Sequence, residues 1–156
     1  MSRRDKIRMT EEEIREFIAD ARTMILVSNG NYGYPHPMPM WYAVDADNTV
    51  YMTTFRKSQK VNNIRRDPKV TLLVESGDQY QELKSVLIYA TAEIIDDLDT
   101  TIETLGRVSV TRGDLKAEQL EAARDALAKN ASKRVTLKFT PEKVVSWDHS
   151  KLAGAY

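Results

Sequence analysis

YMTTFRKSQKVNNIRRDPKVTLLV, residues 51–74, reads as a strand, a tight connection, a short helix, an Asp67-Pro68 stop and a second strand. Between Arg56 and Lys69 it gathers six cations (Arg56, Lys57, Lys60, Arg65, Arg66 and Lys69) against the single acid Asp67, whereas the whole chain balances 23 Lys and Arg with 23 Asp and Glu. The positive charge is therefore placed rather than spread. Ser58 stands where a helix N-cap belongs, and a helix start offers free backbone N–H groups and the positive end of the dipole. Lys60 adds a full charge in the first turn, so a phosphate is the natural guest. The competing reading is a solvated amphipathic helix whose Val61 and Ile64 face the core.

Working outward, 156 residues make one domain, 1–156, with enough chain to bury a core. A 42% hydrophobic and 29% charged composition is that of an ordinary globular protein. The absence of cysteine removes disulfides, thiolate nucleophiles and thiolate metal sites. No run approaches the apolar length of a membrane span, and the MSRRDKIRMT start has no apolar signal core, so a cytoplasmic protein without membrane contact is expected. Net charge zero argues against a general nucleic-acid binder.

Thr10 with Glu13 forms a capping-box pattern, and Ile14, Phe17 and Ile18 follow at helical spacing, predicting a helix to about Arg22. Thr23 to Ser28 has strand length, and Asn29 to Gly33 is a hairpin-type turn. Pro35 to Val44 alternates prolines at 35, 37 and 39 within an extended segment. Prolines at that spacing remove N–H donors from one edge and place His36, Met38 and Met40 on one face. Those methionines could pack against a flat ring, or the prolines could serve only to blunt an edge strand. Lys69 to Glu75 is mostly apolar, as for a strand buried on both faces, and Leu83 to Ile95 is a long strand. Helices are expected over Thr100–Arg112 and Ala117–Ala131, then two strands, Arg134–Thr140 and Lys143–Trp147, joined at Pro141-Glu142. Short connections between such strands predict an α+β fold with an antiparallel barrel.

Side-chain catalysis has little to work with. His36 and His149 are the only histidines, and neither sits in a metal-ligand or triad spacing, so no catalytic residue and no metal ligand is assigned. Any demanding chemistry would belong to a bound cofactor that the protein positions.

Thr54, Ser58 and Lys60 after a strand, continuing N-N-I-R-R-D-P-K-V, resemble the phosphate-binding stretch of the pyridoxamine 5'-phosphate oxidase-like split β-barrel flavoproteins. Gln81 to Val86 leading into Tyr89-Ala90-Thr91-Ala92-Glu93, and the ending Pro141 to Tyr156, are similar to that family's long strand and to the tails of its short bacterial members. The resemblance implies a split-barrel cofactor-binding domain and a homodimer with two cofactor sites at the subunit interface. It implies that Arg56, Ser58 and Lys60 hold the cofactor phosphate beside Gln59, and that Met38, Pro39, Met40 and Trp41 border the ring. Thr53 and Thr54 would present backbone or hydroxyl groups to that ring, and Trp147 and Lys151 would approach from the partner chain. The cofactor implied is FMN or the deazaflavin coenzyme F-420, and the activity is hydride transfer to or from a small organic substrate; cofactor storage or sensing without turnover is the other reading. Vitamin-B6 oxidation is not expected, because Ser150-Lys151-Leu152-Ala153-Gly154 stands where the family's oxidases carry an R-L-H-D-R type substrate motif.

Overall fold

The computed structural model describes residues 3–152. After a single turn, α1 (Arg3–Lys6), Thr10 caps α2 (Glu11–Asp20). The reciprocal box is complete: Thr10 Oγ1 accepts from the Glu13 N–H at 3.2 Å, and Glu13 accepts from the Thr10 N–H at 2.6 Å. A seven-stranded antiparallel sheet follows, in the order β2-β1-β5-β6-β7-β4-β3. Its members are β1 (Met24–Asn29), β2 (Pro35–Met40), β3 (Ala43–Val44), β4 (Val50–Phe55), β5 (Lys69–Ser76), β6 (Lys84–Ile95) and β7 (Arg134–Asp148). The sheet curls into an open half-barrel, the split-barrel architecture expected.

Between β4 and β5 lies α3 (Gln59–Arg66), and between β6 and β7 lie α4 (Leu98–Arg112) and α5 (Arg124–Ala131). The core fills the concave side, with Met24, Leu26, Met52, Leu72, Val74, Val86, Ile88, Leu137 and Phe139 from the strands and Ile18, Val61 and Ile64 from α2 and α3. Tyr42, also buried, ties the β2–β3 connection to α2 by donating its hydroxyl proton to the carbonyls of Ile18 and Ala21. A second, smaller cluster of Ile102, Leu105 and Ala131 holds α4 to α5.

Three expectations are corrected. The final two strands are one continuous β7, since Pro141 falls at the register irregularity opposite Tyr89/Ala90 and is absorbed there without ending the ladder. The helix expected over 117–131 is a 3-10 turn at Ala117–Gln119 followed by α5 from Arg124. Leu120 and Leu127 both approach Gly106 of α4, so packing against that bare stretch of helix sets the path of the segment. Strand β5 is not covered on both faces: Val70, Leu72 and Val74 are buried, while Thr71 and Leu73 are half-exposed on the convex side.

The proline-alternating segment is an edge strand. β2 pairs only with β1, its prolines are exposed, and His36, Met38 and Met40 are half-buried on the other parity.

Candidate functional site

A cavity of about 350 Å³ opens where the β2–β3 connection, β4, the base of β7 and α4 converge. Pro39, Met40 and Trp41 line one part of it, and Thr53, Thr54 and Lys60 another. Leu105, Val108, Ser109 and Arg112 of α4, with Asn130 and Arg134, complete the wall.

Lys60 dominates the chemistry. It is 8% exposed, and its Nζ donates to Thr54 Oγ1 at 3.1 Å. Burial, aided by the nearby Arg134 charge, pushes its pKa below the ordinary lysine value. No aspartate or glutamate lines the cavity, so Lys60, Arg112 and Arg134 face it without a carboxylate among the lining residues. Three cations around a concave site of this size suit an anion. Two larger hollows, of about 540 Å³ on the convex sheet face and about 560 Å³ beside α2, are lined by exposed cations only and each includes acidic residues.

The chain builds the anion end locally. β4 ends at Phe55, the Ser58 N–H donates to the Phe55 carbonyl at 2.9 Å, and α3 starts at once, which carries Lys60 back over Thr54. Ser58 occupies the N-cap position, but its hydroxyl does not cap; it accepts from Thr54 Oγ1 at 3.3 Å. Thr54, Ser58 and Lys60 thus share one hydrogen-bonded cluster at the start of α3. Asn63, fully buried, anchors the helix from below by donating to Ser28 Oγ at 3.0 Å.

Of the residues expected from sequence, Pro39, Met40, Trp41, Thr53, Thr54 and Lys60 come together around this cavity. Arg56 does not line it: its guanidinium grips Asp96 through Nε at 2.9 Å and Nη2 at 2.7 Å, and donates to the carbonyls of Ser132 and Arg134. That pairing holds the Asp96 carboxyl below its ordinary pKa. Gln59 donates to Asn63 Oδ1 at 2.8 Å, and Met38 lies further up the edge strand. Trp147 sits on β7 opposite Ser85, and Lys151 binds Glu13 at 2.6 Å and the Arg8 carbonyl at 3.0 Å within its own chain. Residues 153–156 of the matching tail lie outside the described residues.

Sequence reading missed Arg112, Asn130 and Arg134. Arg112 is the last residue of α4 and stacks on Trp41, with its guanidinium carbon 3.4 Å from the ring centroid. Arg134 stacks on Phe55 at 4.3 Å, and its Nε donates to Asn130 Oδ1 at 3.0 Å. Only the β4–β7 pairing, which sets Phe55 opposite Arg134, brings that cation beside the Lys60 cluster. Among the described residues no group of three or more His, Asp or Glu could hold a metal ion.

The family model for pyridoxamine 5'-phosphate oxidase matches residues 10–148, a span that carries every strand of the sheet and every residue lining the cavity. The chain belongs to the pyridoxamine 5'-phosphate oxidase family. Within this family's fold it is similar to the conserved hypothetical protein Rv2991 of Mycobacterium tuberculosis, at 33% identity over 98% of this chain and 93% of that one, with a TM-score of 0.87. More distant likenesses show the fold alone. They include a FAD-binding protein from Mesorhizobium loti (19% identity, 88% of this chain and 92% of that one, TM-score 0.60) and the heme storage protein HutZ from Vibrio cholerae (16%, 88% and 96%, TM-score 0.64). A search of curated proteins finds no match. No helix among the described residues is long and apolar enough to cross a membrane.

Proposed function

We propose that this family member binds a phosphorylated flavin, FMN, in the cavity above α3 and serves as an oxidoreductase that passes hydride between the flavin and a small organic substrate. The observation that carries the reading is Lys60, a nearly buried lysine facing a cavity whose lining contains no carboxylate. Burying an unpaired ammonium is unfavourable, and a phosphate beside Thr54, Ser58 and Lys60 supplies the missing countercharge. The FAD-binding relative from Mesorhizobium loti supports a flavin as the guest.

The residues present suit that group. Thr54, Lys60 and Arg134 gather at the anion end, whereas Pro39, Met40, Trp41, Leu105 and Val108 offer flat or apolar surface for a ring. When bound, the flavin supplies the hydride chemistry. The chain's own residues orient it, exclude water from one ring face and set the local charge.

Absorbance spectra and equilibrium titration with FMN and, separately, with deazaflavin F-420 test the cofactor. We expect saturable uptake of FMN with a perturbed flavin band and tighter binding than F-420. Tighter uptake of F-420 would move the assignment to deazaflavin, and failure to take up either would reject a flavin role. Anaerobic reduction of the loaded protein by candidate hydride donors then separates an oxidoreductase from a carrier.

A further inference from the structure

α4 forms one long wall of the cavity, and its two ends meet different chemistry. At its beginning Thr101 and Thr104 contact Thr136 Oγ1 at 3.3 Å each, and Leu105 packs on Ala131, the chain neighbour of Asn130. That end therefore belongs with Arg134 and the Lys60 cluster. Arg112 lies two helical turns beyond Leu105, about 10 Å further on at 1.5 Å per residue. There it stacks on Trp41, and Nη1 pairs with Asp114 Oδ2 at 2.9 Å, a carboxylate whose own side chain is 48% exposed.

We propose that Arg112 is the ring-end cation of the site, and that it makes the pocket bind the reduced, anionic flavin ring more tightly than the neutral oxidised ring. This rests on the reading that the cavity takes a flavin with its phosphate at Lys60. Stacking on the indole fixes the guanidinium plane, and the pairing through Nη1 leaves Nε and Nη2 to donate, in that plane, to the edge of a ring beside the guanidinium. The oxidised ring is neutral. Two electrons and one proton convert it to a monoanion; in the test dithionite supplies the electrons and is oxidised to sulfite, and water supplies the proton. A fixed cation beside the ring favours the state in which that negative charge exists. Lys60 cannot discriminate in this way, because the phosphate carries the same charge in both states. Asp114 opposes the effect only weakly, since solvent screens an exposed carboxylate.

The test compares the reduction potential of bound FMN, measured by anaerobic dithionite titration against reference dyes, in wild type, Arg112→Gln, Arg112→Lys and Asp114→Asn. Arg112→Gln is expected to lower the preference for the reduced ring about tenfold, a drop of about 30 mV for a two-electron couple. Affinity for oxidised FMN should fall less than about threefold, because the neutral ring gains little from the charge. Arg112→Lys should retain part of the preference, and Asp114→Asn should raise the potential. An unchanged potential in Arg112→Gln that still binds oxidised FMN overturns the assignment while the flavin reading stands. If Arg112→Gln does not fold, Arg112→Lys decides: a partly lowered potential supports the assignment, and an unchanged potential overturns it. Wild type that takes up no flavin rejects the flavin reading and this inference with it.

Discussion

Lys60 is held at 8% exposure with a hydroxyl as its hydrogen-bond partner, and an arrangement of that kind costs stability in the cofactor-free protein. Lys60 is buried because α3 folds its first turn back over Thr54. Burial lowers its pKa, so the folded chain holds that proton less tightly than the unfolded chain. The destabilisation is fully present below the lowered folded value and fades as the pH rises toward the ordinary 10.5. Cofactor-free Lys60→Met is accordingly expected to resist urea as well as wild type or better at pH 7, with any advantage shrinking in alkaline solution. Equilibrium urea unfolding across pH checks this, and a Lys60→Met variant less stable than wild type at pH 7, or an advantage that grows from pH 7 to 10, would contradict it. Thr54, Ser58 and Lys60 were legible because they fall within seven consecutive residues. Arg112 and Arg134 were not, because only helix docking and strand pairing bring them to the same cavity. The family resemblance implies Arg56 as a phosphate ligand, whereas in the fold its guanidinium pairs with Asp96.

At the level of elements, the curled sheet leaves one apolar surface uncovered by its own chain. Pro39, Ile25, Leu73, Leu87 and Val145 stand side by side across five adjacent strands, followed by Pro37, Val27, Thr71, Tyr89 and Lys143 in the next row. All are exposed or half-exposed, on the convex face. Pro39 also lines the cavity, so a second copy of the chain seated on this face would reach the cofactor site. We propose that this face forms the homodimer. Leu73→Lys is expected to turn a dimer into a monomer in analytical ultracentrifugation and to weaken FMN binding at the same time. A monomeric wild type, or a monomeric variant with unaltered FMN affinity, would contradict a shared site. β1 and β6 were legible as runs of strand length rich in branched residues, but the mostly apolar β5 read as burial on both faces because sequence does not distinguish a core from an apolar outer face. The strand break placed at Pro141 failed for a related reason: a bulge lets proline stay within a long antiparallel ladder.

For the whole molecule, the split barrel and the family were legible from the order of strands together with the phosphate-type stretch. What the sequence alone could not supply is the α4 wall, which runs along the cavity and brings Arg112 onto Trp41. The account's central claim is that Lys60 receives the phosphate of the cofactor, and a thermodynamic cycle tests it most directly: titrate wild type and Lys60→Met with FMN and with riboflavin, which lacks the phosphate. A charge-assisted contact contributes about 1.5–3 kcal/mol, or roughly ten- to more than a hundredfold in Kd at about 1.4 kcal/mol per decade. Lys60→Met should therefore weaken FMN by that factor and leave riboflavin nearly unchanged. Equal losses for the two ligands, or no loss for FMN, would contradict a phosphate at Lys60.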